Sequence, residues 1–249
     1  MIYSALLDDL AAEEAVLDEV VGGLDEGSAA VATAAAGWDV RDTIEHLAGA
    51  EALAAIAIAI AEPDAFAERL GAPREEAGAA RSWSEALDRW RAERARVLDG
   101  LRAAAPRNRF PWIAGDMSAM SFATARLMET WAHGVDIAAA LGVPYPASAR
   151  LRHVADLGVR TRSFSFGVRG LPVPEGDVRV ELVGPDGEAW TWGESDVDLV
   201  RGGALDFCLV VTQRRHVDDR DLAVDGPFAR QWMAIAQAFA GPPTTARRT

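Results

Sequence analysis

The chain has 249 residues, half of them apolar, and its 38 acidic against 25 basic side chains give a net charge of −13. That charge repels phosphate backbones and argues against a nucleic-acid partner. All 25 basic residues are Arg, so the absence of Lys removes Schiff-base, pyridoxal phosphate and P-loop chemistry.

The first segment carries Leu6, Leu7, Leu10, Leu17, Val20 and Val21 near helical spacing until Gly22-Gly23, which predicts an amphipathic helix over 3–21 with an acidic outer face. Asp39 reads as the N-cap of a second helix, Val40 to Ala61, with Asp42 completing the cap and Trp38 placed to staple the entry. Its apolar run LAAIAIAIA is about half of the ~20 residues a membrane crossing needs, so it reads as a buried segment and no membrane partner is expected. Pro63 and the stretch Gly71 to Gly78 predict a loop. Ser82 or Ser84 then caps a third helix reaching about Ala104, whose charges read as mostly solvated pairs. A fourth helix runs from about Ser118 to Gly142 and is stopped by Pro144-Tyr145-Pro146.

Four long helices point to a bundle. Ser148 to Phe166 reads as a joining helix. Val178 to Val183 and Ala189 to Trp192 flank the turn Pro185-Asp186-Gly187 as a β-hairpin. Helices are expected at Leu205 to Thr212 and Pro227 to Ala240, which completes an α+β chain: a helical bundle over 1–146, a small α+β domain over 147–241 and a loose tail over 242–249. The single Cys208 and the acidic N-terminus MIYSALLDDLAAEE point to a reducing, cytoplasmic setting.

Four histidines can be weighed singly. His46 continues into a stripe of Ala50, Leu53, Ala57 and Ile60, the usual setting of a hydrogen-bonded core residue and also of a ligand. Glu129 and His133, four apart in METWAHGVD, lie one turn apart on one face and are spaced to chelate one ion, with Asp136 able to accept the other ring N–H of His133. The rival reading is a solvated stripe in which Arg126 pairs with Glu129 and His133 with Asp136 at the surface, while Leu127, Trp131 and Ala138 face the core. His46, Glu129 and His133 together form a three-ligand set of the kind that leaves one position open on tetrahedral Zn²⁺. His153, among arginines, reads as a surface or domain-junction residue, and His216 lies in a polar loop. Cys208, in LDFCLVV, reads as inert packing. Serine-hydrolase, dinucleotide and dithiol motifs are absent.

The segments GWDVRDTIEHLAG, LMETWAHGVDIAAALG, DFCLVVTQRRH and FARQWMAIAQAFAG resemble the mycothiol-dependent maleylpyruvate isomerase family, in its actinobacterial metal-binding branch within the DinB-like superfamily. The resemblance implies a DinB-like four-helix bundle holding a divalent metal, usually zinc, through His46, Glu129 and His133. It also implies mycothiol as a cosubstrate, bound as thiolate, for isomerisation or thiol transfer on a small unsaturated or carboxylate substrate. An arginine of the C-terminal domain acts near the metal in that family, and QRRH offers Arg214 or Arg215, although an adjacent basic pair also suits a helix C-terminus. The alternatives are a thiol-independent biosynthetic metalloenzyme using the metal as Lewis acid, and a non-catalytic metal-binding helical protein. The expected partner is a small-molecule substrate, with the chain a monomer or a homodimer.

Overall fold

The computed structural model describes residues 2–60, 66–68, 82–113 and 115–244. The chain divides into two compact units, Met1–Tyr145 and Pro146–Thr249. In the first unit α1 (Tyr3–Val21) and a short α2 (Glu26–Ala29) precede α3 (Val40–Ala59) and α4 (Trp83–Ala103). A two-residue ribbon, β1 (Arg109–Phe110) with β2 (Met117–Ser118), then leads into α5 (Ala119–Leu141). The four long helices stand where periodicity and caps predict them. Asp42 N donates to Asp39 Oδ1 (2.7 Å) and Asp39 N to Asp42 Oδ2 (3.1 Å), closing a capping box at α3. Ser82, not Ser84, forms the box at α4 with Glu85. Ser118 caps α5, and Gly142 ends it in the left-handed region at φ 67°. The second helix ends at Ala59, two residues short of expectation, because Ile60 is extended. The loop read around Pro63 and Gly71 to Gly78 lies outside the described residues.

Helix α3 packs along α4, and α1 along α5. Leu17, Ile44, Leu47, Trp90 and Ile137 are among the fully enclosed residues of one core cluster, where burial of a large aliphatic side chain contributes about 1.5–3 kcal/mol. Two expectations about charge are corrected. The acids of α1 are not all external: Glu13 and Glu14 are 1% and 4% exposed. The basic residues of α4 are not confined to solvated pairs, since Arg91 reaches Asp18 of α1 (2.5 Å), as does Arg94, which also donates to the Glu14 carbonyl (2.7 Å). Arginine stems are long enough to cross between neighbouring helices and leave only part of the head in water.

The second unit opens with α6 (Leu151–Arg160) and α7 (Arg162–Gly167), where one continuous helix is expected. Its sheet holds β3 (Arg179–Val183), β4 (Ala189–Trp192), β5 (Leu199–Gly203) and β6 (Leu222–Asp225) in the order β4-β3-β5-β6. The β3–β4 hairpin is the one expected, while β5 returns on the other side of β3 and runs parallel to it. Sequence reading missed β5 and β6, which are short and lack a run of branched apolar residues. Helix α8 (Ala204–Val211) packs against α6 and the sheet. Helix α9 (Pro227–Met233) is about two turns shorter than expected, and Gln237 N instead donates to Ser165 Oγ (3.0 Å). Of the tail expected to be loose, residues 245–249 lie outside the described residues; before them, the Thr244 carbonyl accepts from Arg169 Nη2 (2.5 Å) and Gln213 Nε2 (3.3 Å). Among the described residues no helix is long and apolar enough to cross a membrane.

Burial pushes the Glu14 carboxyl up from 4.5 to about 8, with Glu51 adding to the rise and Arg94, Arg102 and Arg126 opposing it. Between those two values the folded chain holds a proton that the unfolded chain has released, so this group's contribution to stability falls as pH rises through the window. Glu14→Gln cannot ionise and should therefore gain thermal stability over the parent as pH goes from 5 to 8.5, by about 2–4 °C for each kcal/mol recovered. Thermal melts of both proteins across that range check this; an offset that does not change with pH contradicts it.

Candidate metal centre

Three side chains converge in the first unit. The capping box starts α3 so that His46 comes two turns later, and α5 carries Glu129 and His133 one turn apart. One ligand atom from each of His46, Glu129 and His133 lies within 4.8 Å of the other two. Tetrahedral coordination at 2.0–2.1 Å sets neighbouring donors about 3.3 Å apart, so the set would have to close by roughly 1.5 Å at most to meet a single ion. Two imidazoles and a carboxylate suit a borderline divalent ion such as Zn²⁺.

His133 Nε2 lies 3.5 Å from Glu129 Oε2, while its Nδ1 lies 3.6 Å from Asp136 Oδ2. The two ring nitrogens thus face different carboxylates, one beside the converging set and one behind it, the division that fixes an imidazole's orientation and tautomer. His133 and Asp136 are 8% and 2% exposed. This overturns the reading of Glu129, His133 and Asp136 as a solvated stripe, because both helix faces of α5 are enclosed. Arg126 is 4% exposed and turns away from the surface: its Nη1 lies 3.6 Å from Glu51 Oε1, and its Cζ stands 5.1 Å from the centre of the Trp112 ring. His46 is the exposed member of the set, not a core residue.

Sequence reasoning missed Glu51 and the destination of Arg126. A signal was available in each: Glu51 is the one charge between Leu47 and Ile60, and Arg126 the one base on α5. Burial pushes the Glu51 carboxyl up to about 7; Arg126 lowers it, and Glu129 and Glu93 raise it. The staple expected of Trp38 is also corrected. The position it would grip one turn inside α3 is Thr43, whose hydroxyl donates to the Asp39 carbonyl (2.8 Å), and the indole lies instead beside His46 and His133.

The remaining candidates belong to the second unit. His153 is buried, 7% exposed, rather than at the surface. His216 accepts from Asp218 N through Nδ1 (3.2 Å) and caps the single turn Val217–Asp219. Cys208 is fully enclosed, and burial pushes its thiol far above the ordinary range. It is packing, as expected. Helix α8 ends in a Schellman turn: Gln213 takes φ 59°, its N–H donates to the Val210 carbonyl (2.9 Å) and Arg214 N–H to the Leu209 carbonyl (2.8 Å). Beyond that turn Arg214 Nη1 donates to the Thr212 carbonyl (2.8 Å) and Arg215 Nη1 to the Arg214 carbonyl (2.8 Å), so each guanidinium spends one nitrogen on the helix end.

Residues 10–138, more than half of the chain and inclusive of all three converging side chains, match the family described as mycothiol maleylpyruvate isomerase N-terminal domain. The chain belongs to that family. It is 44% identical over 250 residues to an uncharacterized protein of Mycobacterium tuberculosis, found in strains CDC 1551 / Oshkosh and H37Rv, with 96% of each chain covered. Among solved structures it is similar to the mycothiol-dependent maleylpyruvate isomerase (TM-score 0.58, 16% identity, 86% of this chain and 90% of that one). The mutant of that enzyme with one histidine changed to alanine gives 0.59, 15%, 88% and 91%. At such identity the likeness carries the fold, a helical bundle with a small mixed α/β part, which is the α+β class expected.

Within this family member, the helix that bears Glu129 and His133 is pinned by a neighbour. Gly134 leaves a notch filled by the Tyr145 ring, whose hydroxyl donates to Glu13 Oε1 (2.8 Å); a Cβ at Gly134 would come within 2.5 Å of that ring. Gly134→Ala should destabilise the chain by about 1–3 kcal/mol. In a double-mutant cycle by chemical denaturation, Tyr145→Ala should absorb most of that cost, leaving a coupling of at least ~0.5 kcal/mol. Strict additivity would contradict the notch.

Proposed function

We propose that this chain is a divalent-metal enzyme, with zinc the ion its ligands suit, that uses mycothiol or a similar low-molecular-weight thiol for isomerisation or thiol transfer on a small unsaturated, carboxylate-bearing substrate. The observation that carries the reading is the convergence of His46, Glu129 and His133 from two helices. The solved relatives are a mycothiol-dependent maleylpyruvate isomerase and its mutant, which supports the choice of thiol. A sealed Cys208 supports it too, because the sulfur must then come from outside the chain.

When bound, the ion supplies Lewis acidity that lowers the pKa of a coordinated thiol, so that a nucleophilic thiolate is present at neutral pH. His46 and His133 each offer a neutral imidazole nitrogen and Glu129 a carboxylate oxygen, which leaves a net charge near +1 at the centre. Asp136 holds the far side of the His133 ring. The family resemblance offers Arg214 or Arg215 for a substrate carboxylate, an anion that a guanidinium matches bidentately. In the isomerisation the thiolate adds to one carbon of a cis double bond, and the electron pair moves onto the conjugated carbonyl. The former double bond turns as a single bond, and expulsion of the sulfur restores the thiolate and leaves the trans product. Nothing is oxidised or reduced.

Protein purified without a metal-affinity tag should carry about one divalent ion per chain by elemental analysis. His46→Ala, Glu129→Ala and His133→Ala should each lower the content strongly at unchanged helicity. Full metal content in all three variants would contradict the assignment.

A further inference from the structure

The loop before α3 is held by its own backbone. Thr33 N donates to the Trp38 carbonyl (2.9 Å), Trp38 N to the Ala35 carbonyl (3.0 Å) and Val40 N to the Val31 carbonyl (3.1 Å), while Ala32 and Asp39 form an antiparallel bridge. Gly37 sits at φ 80°, a conformation that most side chains would strain. So many bonds in a short loop present Trp38 in one position, directly ahead of the N-cap of α3.

What the indole meets there is the pair of imidazoles. Its ring centre lies 4.8 Å from that of His46 and 6.2 Å from that of His133, and the imidazoles are 4.8 Å apart. It stacks within 25° of the His133 plane and is tilted 46° to His46. His46 is the exposed member of the set, and an exposed side chain moves among rotamers unless something walls it in. The ring of Trp38 is such a wall for His46, and it lies beside His133 nearly parallel to the plane of that ring.

We propose that Trp38 is a positioning residue for the metal: its indole holds both imidazoles in a ligating orientation before the ion arrives. This rests on reading His46, Glu129 and His133 as ligands. Residues that orient metal ligands without touching the ion typically account for 10–100-fold in affinity, and a pre-formed arrangement loses less freedom on binding.

Metal-stripped protein titrated with Zn²⁺ against a chromophoric chelator tests this. Trp38→Ala and Trp38→Leu should bind about 10–100-fold more weakly than the parent, and Trp38→Phe, which keeps an aromatic face, within about 3-fold. With Co²⁺ in place of Zn²⁺, the visible bands of the Phe variant should match the parent, while those of the Ala and Leu variants shift as ligand geometry disperses. A merely structural role would leave those bands alone. Because the indole lies so near the ligands, Co²⁺ should also quench a component of tryptophan emission that the Phe variant lacks, a reading that does not require the Ala variant to fold. Affinity within 2-fold of the parent in the Leu variant, a Phe variant as weak as Leu, or no Trp38-dependent quenching would each overturn the proposal. A parent that takes up no ion would overturn the ligand set itself, and this with it.

Discussion

Two helices must be held so that an imidazole on one faces a carboxylate and an imidazole on the other, and the first unit is organised around that requirement. Glu129 and His133 come as a pair because four residues make about one helical turn. His46 does not come with them; it depends on where α3 lies against α5. The capping box at Asp39 and Asp42 sets where α3 begins, and Ser118 and Gly142 bound α5. The core around Ile44, Leu47 and Ile137 holds the two together within one cluster. The Tyr145 ring in the notch at Gly134 then limits how α5 can slide or turn.

Electrostatics make the same region costly to build. Glu14 and Glu51 are enclosed with Arg126 as a shared cation, and burial raises both carboxyls toward neutral pH. Replacing such a buried group of charges by apolar side chains is often neutral or stabilising in other proteins, so its presence is weak evidence for stability. Its position is more informative. Arg126 lies one turn before Glu129 on α5, and the charge of Glu129 acts on Glu51. The ionisation of the bundle interior and the charge at the ligand set are therefore linked, and an ion held by Glu129 would relieve part of the repulsion that Glu51 now feels.

Much of this was legible in the sequence, for identifiable reasons. Long helices announce themselves through caps such as Asp39 and Ser118 and through stops such as Gly142, all local chemistry. The Glu129–His133 pair needed only helical spacing. That both faces of α5 are inside was not legible, because one face carries Arg126, Glu129 and Asp136 and reads as a solvated stripe; Arg126 was accordingly misread as a surface cation. Strand β5 was missed for a related reason. Its Arg201-Gly202-Gly203 half has little side chain to pack, and its place is set by the parallel pairing with β3, a partner about twenty residues away. Trp38 passed for a helix staple because spacing cannot reveal that the position it should grip, Thr43, already bonds its own backbone.

The central claim is that His46, Glu129 and His133 bind one ion and leave a position that takes an external thiolate. X-ray absorption at the zinc edge, recorded on the metal-loaded protein before and after mycothiol is added, tests it most directly. The account predicts nitrogen and oxygen neighbours alone at about 2.0–2.1 Å at first, then one additional sulfur at about 2.3 Å once the thiol is present. A spectrum that shows no sulfur at saturating thiol would contradict it.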